Sequence, residues 1–499
     1  MAKLTIYFTS DTHGYLYPNN FASEQPRPMG LLSMRFPKDE NTLVIDGGDT
    51  IQGSPLTYYC KMHGRELPVA AAMNDRGYDY VTLGNHDFNN GPAYLQKHLE
   101  TLNAKCLCAN VKDDEGRLPV FPCAVHTLGN GLRVGLFGIV TDWVNRWEKK
   151  ENLTSIAVSD PFEAAKKAVE SLDADIIVGI YHGGIERDLE TGRLLSQTDE
   201  NIACRLCEEL KIDLLLTGHQ HIAMAEKSWN GVHIVQTPCN SVNYVKVELD
   251  EDGFHSQLCE VPDQAELTSA QQQLWEDVNV WLDQPIGRLS RDIWPQEKLH
   301  MALHGSPIAD FFNTVQLWAS GADVSCAALG NELRGFASSV TVRDVVASYV
   351  YSNTLVVLEV TGDIIRKALE QCARYFAVDG EGNIAIAQSF LSPKVAHYNF
   401  DYFSGIEYTF DLAKPEGERV VSLTRGGKAV EMDEKLKLVM CDYRATGAGD
   451  FDFYCGCPRV KEILTEVSEL ILSYLVEHPY VEIPDGHPCR VLMDGKPVD

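Results

Sequence analysis

The feature that most restricts the fold of this chain is a series of short β-rich runs, each followed closely by a side chain that can bind a metal. The runs are 4–9 before Asp11, 42–46 before Asp49, 80–83 before Asn85, 176–181 before His182 and 214–216 before His219. Helical patterns such as 161–172 lie between them, an alternation typical of a layered α/β domain. Since open α/β sheets bind ligands at the carboxyl ends of their strands, we expect these side chains to meet in one crevice.

The length of the chain, 499 residues, predicts two domains, because it exceeds what one hydrophobic core usually holds. After about residue 261 the pattern changes, and apolar residues recur at helical spacing over 267–282 before Pro285 and Gly287. The last two hundred residues mix strand and helix patterns and close with a predicted amphipathic helix over 458–478. We therefore predict a layered α/β/β/α domain over 1–262, a connector helix within 263–298 and a second α/β domain over 299–499.

Charge and composition restrict the partners. The chain has 43 lysines and arginines against 71 aspartates and glutamates, a net charge of −28, which would repel a nucleic-acid polymer. A small anionic substrate is compatible with this charge if divalent cations reverse the potential inside one cleft. No segment approaches the roughly 18 apolar residues of a membrane span. We expect a small-molecule ligand, no nucleic-acid polymer and no membrane, whereas the oligomeric state is not indicated.

The first residues contain no signal-peptide pattern, and the fourteen cysteines are few for a disulfide scaffold. Cys204 and Cys207 form a C-x-x-C, but they fall on a predicted amphipathic helix without a second pair at zinc-ribbon distance. We interpret the cysteines as free thiols and small core residues. These patterns predict a cytoplasmic protein.

The residues after the strands suit metal binding. In Asp46-Gly-Gly-Asp49 the glycines allow a sharp turn, so that Asp49 can project between two ions. In Gly84-Asn-His-Asp87 an amide oxygen can bind a metal while His86 faces a substrate. Each motif alone has a structural alternative, such as a turn-forming aspartate or a satisfied core histidine. Together they supply about seven nitrogen and oxygen ligands without a thiolate, which favours Mn, Zn or Fe(II). The candidates are Asp11, His13, Asp49, Asn85, His182, His219 and His221.

These motifs, in this order, resemble the signature of the calcineurin-like metallophosphoesterases. The resemblance implies two divalent metal ions with Asp49 as the bridge. One ion would be held by Asp11, His13, Asp49 and His221, and the other by Asp49, Asn85, His182 and His219. It further implies a metal-activated water that attacks phosphorus in line, and a His86 that stabilises developing charge or protonates the leaving alkoxide. The candidate catalytic residues are His86, Asp87 and Asn89.

Three stretches of the second half, 331–334, 351–362 and 442–447, resemble the C-terminal domain of bacterial 5'-nucleotidases. The resemblance implies that Tyr351 and Tyr443 sandwich a base, that Asn353 lies near the base, and that Arg334 faces phosphate or sugar. Stacking on a flat ring tolerates any base. Ordinary partial burial is the alternative interpretation of the two tyrosines.

One position departs from the 5'-nucleotidase pattern, because the aspartate expected after His86 is Asn89. An amide can orient the imidazole but cannot raise its basicity as a carboxylate would. This loop, the stretch 147–153 and Tyr398-Asn-Phe-Asp401 are more similar to 2',3'-cyclic-nucleotide phosphodiesterase/3'-nucleotidases. Together, the motifs and these resemblances predict a metal-dependent hydrolase of nucleoside monophosphates, and the similarity to the second subgroup adds 3' and 2',3'-cyclic nucleotides as candidate substrates. A hydrolase of UDP-sugars or dinucleotides and a non-catalytic nucleotide sensor are the alternatives.

Overall fold

A computed structural model describes residues 3–23, 25–195, 199–331, 333–349, 351, 353–380, 382–392 and 395–498. The chain divides into two compact units, Met1–Val278 and Asn279–Asp499. The division falls inside the helix Ser269–Leu282, within the stretch predicted as the connector. The predicted two-domain α/β architecture is confirmed, while the exact domain limits stay a prediction. In the described ranges, no helix is both long and apolar enough to cross a membrane.

The first unit contains two large mixed sheets. One has the spatial strand order Phe254–Glu260, Asn243–Leu249, Leu4–Thr9, Thr42–Asp46, Tyr80–Val81, Lys105–Leu107 and Val120–Phe121. The other has the order Met224–Trp229, Val232–Gln236, Leu214–Thr217, Ile176–His182, Arg133–Val140 and Cys123–Thr127. Strands in the middle of each sheet run parallel. A short antiparallel pair joins Val111–Asp113 to Ile156–Val158.

The core of this unit lies between the sheets, where side chains such as Phe8, Ile45, Ile180 and Leu216 form one buried cluster. Helices Pro161–Ser171 and Ala203–Glu209 pack on the far face of the second sheet, with Cys204 and Cys207 buried there. The other α-helices described in this unit are Pro55–Met62, Val69–Asp75, Pro92–Thr101 and Val144–Trp147. Burial of both faces of the parallel strands explains why they are almost continuously apolar.

All five β-rich runs form strands. Three of them lie in the first sheet and two in the second, so the carboxyl ends come from both sheets. The run predicted over 80–83 ends as a strand at Val81, because the chain turns into the short 3-10 helix Asn85–Phe88. The packing of the two sheets brings the five strand ends to one edge of the unit.

The second unit is also α/β. One five-stranded sheet has the strand order Asp401–Ser404, Val324–Ala328, Lys435–Cys441, Leu355–Thr361 and Arg459–Ile463. A second five-stranded sheet has the order Lys428–Ala429, Val420–Arg425, Glu407–Asp411, Cys489–Met493 and Lys496–Pro497. Two smaller sheets consist of Ser339–Thr341, Pro285–Leu289 and Tyr480–Val481, and of the pair Phe376–Val378 and Ile384–Ile386. Its α-helices are Lys298–His304, Pro307–Ser320, Val342–Ser348, Gly362–Ala373, Asp442–Ala445 and Val467–Glu477.

The predicted helix over 458–478 is wrong over its first nine residues, 458–466. Arg459–Ile463 is a strand that pairs antiparallel with Leu355–Thr361, and the helix begins only at Val467. The β-branched side chains of Val460 and Ile463 suit a strand, and the open edge of Leu355–Thr361 supplies its hydrogen-bond partners. Tertiary pairing here overrides the apparent helical spacing.

Candidate metal centre and aromatic cluster

The seven side chains predicted as metal ligands lie together at the strand ends, and we call them the metal centre. Two groups of them have ligand atoms within 4.8 Å of one another: Asp11 with His13 and His221, and Asp11 with Asp49 and His182. Asn85 Oδ1 joins the second group, 3.1 Å from His182 Nε2 and 2.9 Å from His219 Nδ1. The carboxylate common to both groups is that of Asp11, whereas the bridging role of Asp49 stays a prediction.

The backbone of the metal centre is strained. Positive φ angles, uncommon for residues with a Cβ, occur at Asp11 (54°), His13 (48°), Asp49 (58°), His219 (73°) and His221 (58°). Such conformations cost about 1–3 kcal/mol each and persist only where the surroundings enforce them. Hydrogen bonds between strand-end loops do so here, since Asp11 N donates to Gly48 O and His13 N donates to Asp49 O, both at 2.9 Å. These residues follow the strands 4–9, 42–46 and 214–217, and there the reversal of the backbone turns their side chains toward one point.

Three imidazoles of the metal centre donate a proton away from it. His13 Nδ1 donates to Gln52 O at 2.9 Å, and His182 Nδ1 donates to Gly47 O at 2.7 Å. His219 Nε2 lies 3.0 Å from a carboxylate oxygen of Glu200. A neutral imidazole has one donor and one acceptor nitrogen. When these rings are neutral, which is the form in which histidine binds metals, the nitrogens that face inward are therefore lone pairs.

Those inward nitrogens lie close to carboxylate and amide oxygens and to the imidazole of His221. His182 Nε2 is 3.2 Å from Asp49 Oδ2 and 3.1 Å from Asn85 Oδ1. His13 Nε2 is 3.2 Å from His221 Nε2, which in turn is 3.4 Å from Asp11 Oδ1. With His182 neutral, its Nε2 lone pair meets the Asp49 and Asn85 oxygens without a proton between them, and a divalent cation at this point would remove the repulsion. The donor set therefore fits metal ions.

The electrostatics agree with this fit. Asp11 and Asp49 are at most 1% exposed, so both carboxylates are removed from water. Burial lowers the pKa of His182, but the nearby Asp49 and Asp11 carboxylates raise it more, to about 9. Burial raises the pKa of Asp11, but His182 and His221 lower it more, to about 2. The centre thus attracts positive charge, and a metal ion would replace the proton on His182.

His86 and Asp87 stand on the 3-10 helix Asn85–Phe88 beside Asp49. His86 N donates to Asp49 Oδ1 at 2.7 Å. The Asp87 carboxylate accepts backbone N–H groups of Asp49 (3.0 Å), Thr50 (2.9 Å) and Gly84 (2.8 Å). Through these contacts Asp87 supports the Asp49 loop, while the catalytic role suggested by the sequence stays a prediction.

Sequence reasoning missed three side chains that support the metal centre. Glu200 holds His219, as described above, and the Trp147 ring stacks on the same imidazole at 5.5 Å between centroids. Glu148 accepts a hydrogen bond from Asn89, the partner of His86. In the sequence, the stretch 147–153 was noticed only for its similarity to the 2',3'-cyclic-nucleotide phosphodiesterase/3'-nucleotidase subgroup. Its contact with Asn89 depends on the fold and could not be predicted from the sequence.

In the second unit, Tyr351, Tyr398 and Tyr443 form what we call the aromatic cluster. Tyr351 and Tyr443 are each 42% exposed. Tyr398 lies against Tyr443, with 6.2 Å between ring centroids at an interplanar angle of 74°. Partial burial and the neighbouring Tyr398 phenol raise the pKa of Tyr351. The sequence motif that contains Tyr398 was noticed only for its subgroup similarity, so the place of this ring beside Tyr443 was not predicted.

The other two residues predicted to meet the nucleoside have different surroundings. Asn353 Nδ2 donates to Asp442 Oδ1 at 2.9 Å, and the same oxygen accepts the Tyr443 N–H at 2.8 Å. This places Asn353 next to the aromatic cluster. The Arg334 side chain is 51% exposed, and its Nε lies 4.0 Å from Asp344 Oδ1. Its place opposite phosphate or sugar stays a prediction.

A buried ion pair supports the aromatic cluster. Arg444 Nε lies 2.8 Å from Asp401 Oδ2, and both side chains are 2% exposed. The guanidinium also donates to Tyr398 O at 2.8 Å and covers the Phe451 ring at 4.1 Å. Since Arg444 directly follows Tyr443, it ties the segments of two cluster rings together.

Comparisons with known proteins identify relatives of both units. The calcineurin-like phosphoesterase family matches residues 4–223, and the 5'-nucleotidase C-terminal domain matches residues 285–454. A solved protein of Staphylococcus aureus, described as a candidate 5'-nucleotidase in complex with alpha-ketoglutarate, is 32% identical to this chain. The TM-score is 0.71, and the match covers 98% of this chain and 99% of the staphylococcal one.

Two curated relatives extend the comparison. The trifunctional nucleotide phosphoesterase YfkN of Bacillus subtilis is 24% identical over 96% of this chain and 38% of its own length. The 2',3'-cyclic-nucleotide 2'-phosphodiesterase/3'-nucleotidase of Haemophilus influenzae is 24% identical over 89% of this chain and 80% of its own length. The chain thus spans about two fifths of the first relative and four fifths of the second.

Proposed function

The chain belongs to the family of calcineurin-like phosphoesterases with a 5'-nucleotidase C-terminal domain, and we propose that it hydrolyses nucleotides with the help of two divalent metal ions. The observation that carries the proposal is the set of inward-facing lone pairs and carboxylates in the metal centre. Bound there, divalent ions would supply Lewis acidity and a water of lowered pKa. Mn, Zn and Fe(II) suit these nitrogen and oxygen donors.

The residues of the chain divide the remaining work. His86 stands beside Asp49, where its ring can stabilise negative charge on a phosphoryl group or protonate a leaving alkoxide. In the second unit, Tyr398 and Tyr443 offer aromatic faces for a base, and Asn353 offers an amide beside them. We propose that stacking selects nucleotides as a class without strong selection among bases.

We further propose that 3' and 2',3'-cyclic nucleotides are substrates in addition to 5' nucleotides. Support comes from Asn89, from its contact with the stretch 147–153, and from the Haemophilus relative. The staphylococcal relative, itself a candidate 5'-nucleotidase, supports the 5' position. We propose that the protein acts on this small-molecule substrate in the cytoplasm. Separation of cell fractions followed by immunoblotting would test this location.

A substrate panel tests the proposal directly. Chelator-treated protein is reloaded with Mn, Zn or, without oxygen, Fe(II), and phosphate release is measured from 5'-AMP, 3'-AMP, 2',3'-cyclic AMP and a UDP-sugar with added phosphatase. We expect activity only after metal is restored, with turnover of the cyclic and 3' substrates. Turnover of the UDP-sugar alone would replace the proposal by the sugar-nucleotide alternative. Nucleotide binding without turnover of any substrate by metal-loaded protein would indicate a sensor.

A further inference from the structure

Behind His86 lies a chain of hydrogen bonds that ends on a carboxylate. His86 Nδ1 is 2.9 Å from Asn89 Oδ1, and Asn89 Nδ2 donates to Glu148 Oε2 at 2.5 Å. The other oxygen of Glu148 accepts from Asn152 Nδ2 at 2.8 Å, and the same Asn152 group donates to the Asn89 carbonyl at 2.9 Å. Both the side chain and the backbone of Asn89 are therefore attached to the segment that carries Glu148.

The chemistry of these groups gives the chain one direction. An ionised carboxylate only accepts hydrogen bonds, so the Asn89 atom that faces Glu148 is the NH₂ group. The amide oxygen then faces His86, and since this oxygen also only accepts, His86 Nδ1 carries the proton. Among the described residues, the hydrogen bond of the His86 ring is made by Nδ1, which leaves Nε2 for the substrate.

We propose that Glu148 is a positioning residue which, through the amide of Asn89, holds the His86 ring in the Nδ1–H form and presents Nε2 to the substrate. This inference rests on the proposed function and assigns a role that the sequence motifs did not. The arrangement replaces a carboxylate at His86 by a neutral relay and moves the negative charge one side chain outward. The backbone N–H of His86 already donates a hydrogen bond to the buried Asp49 carboxylate. A neutral Asn89 amide at the His86 ring therefore avoids a second negative charge close to Asp49.

Four variants separate this role from simple structural support. Glu148→Gln keeps the size of the side chain but can donate as well as accept, so it no longer dictates the orientation of Asn89. Asn89→Asp places a carboxylate at His86 but leaves it against Glu148. Asn89→Asp combined with Glu148→Gln exchanges the positions of carboxylate and amide. Glu151→Gln, an exposed change in the same stretch, is the matched control.

Kinetics on a nucleotide and on p-nitrophenyl phosphate give the first readout. We expect Glu148→Gln to lower kcat about tenfold with KM unchanged, in the lower part of the range for supporting residues. Asn89→Asp alone should lower kcat further, because two carboxylates would repel each other. The exchanged double variant should recover most of the loss, and Glu151→Gln should behave as wild type.

Nitrogen-15 spectra of histidine-labelled, zinc-loaded protein give the second readout. The His86 signals are identified by their absence in His86→Ala. We expect a protonated Nδ1 in wild type and a mixture of both tautomers in Glu148→Gln. A wild-type kcat with an unchanged tautomer in Glu148→Gln would overturn the inference. The inference would also be overturned if Glu148→Gln lowered kcat with an unchanged His86 tautomer and the exchanged double variant did not restore kcat. If no phosphoester is hydrolysed even by wild type, the proposed function fails, while the spectra still decide the role of Glu148.

Discussion

In the first unit most candidate metal ligands are buried and held by backbone groups, whereas in the second unit the candidate base-binding rings are half exposed and the ion pair that supports them is buried. Asp11 and Asp49 of the metal centre are at most 1% exposed, against 42% for Tyr351 and Tyr443 of the aromatic cluster. Metal chemistry requires ligands at fixed distances, which favours a strained and buried frame. Base stacking requires an open ring face, so the rings themselves cannot be buried. The segments that carry them are held instead by the buried Arg444–Asp401 ion pair.

The largest expected effect is that of removing the His86 side chain. His86→Ala should lower kcat at least a hundredfold, within the range for an acid or a charge-stabilising group. Metal content should not change, because the contact of His86 with Asp49 is made by its backbone N–H. Steady-state kinetics and metal analysis by mass spectrometry check both parts. His255→Ala, which removes an exposed imidazole of the same unit, is the control. A His86→Ala protein with wild-type turnover would show that the ring takes no part in catalysis.

The second effect concerns the support of the aromatic cluster. Arg444→Leu leaves the Asp401 carboxylate buried without its partner, which costs about 3–5 kcal/mol of unfolding free energy. Urea unfolding followed by fluorescence should show the loss, while metal content stays at the wild-type level. Arg444→Leu combined with Asp401→Leu should recover a large part of it. Equal stability of the single and double variants would contradict a role for the unpaired charge.

The third effect distinguishes the rings of the cluster. Tyr443→Ala and Tyr398→Ala should each raise KM for a nucleotide about tenfold or more with kcat largely kept, since a stacked base contributes ~1–3 kcal/mol. Tyr351→Ala should have a smaller effect, because the ring that lies against Tyr443 is Tyr398. Phenylalanine at each position should preserve KM, and turnover of p-nitrophenyl phosphate should not change. A larger effect at Tyr351 than at Tyr398 would restore the pair first predicted from the sequence.

The smallest effect is a pH dependence in the frame of the metal centre. Burial lowers the pKa of His98 from 6.5 to about 4, and its Nε2 lies 3.5 Å from Thr50 Oγ1. The unfolded chain therefore binds this proton at a higher pH than the folded chain, so the stabilisation is present above pH 6.5 and is lost as the pH falls through 4. Between pH 7.5 and 5.5 the loss is about 1 kcal/mol. His98→Leu should remove that part of the slope in urea unfolding, and an unchanged slope would contradict a neutral buried His98.

The strands and the identity of the candidate ligands could be predicted because both depend on short stretches of chain. A β-rich run and the motif after it, such as Asp46-Gly-Gly-Asp49, are read within about ten residues. The segment 459–463 could not be predicted, because its strand conformation comes from pairing with Leu355–Thr361, a hundred residues earlier. The contact of Tyr398 with Tyr443 could not be predicted either. It depends on the fold, in which Arg444 binds the Tyr398 carbonyl.

The order of the motifs was therefore enough to indicate a metallophosphoesterase domain, because ligand type and local turn chemistry are properties of residues near each other in the chain. The direction of each hydrogen bond around the metal centre follows from folding alone. His182 donates to Gly47, and Glu148 reaches Asn89 across 59 positions of the chain. Proton positions depend on which acceptor packs against each nitrogen, and that packing is long-range. The sequence thus shows which groups can act, while the fold sets which atom of each group faces the substrate.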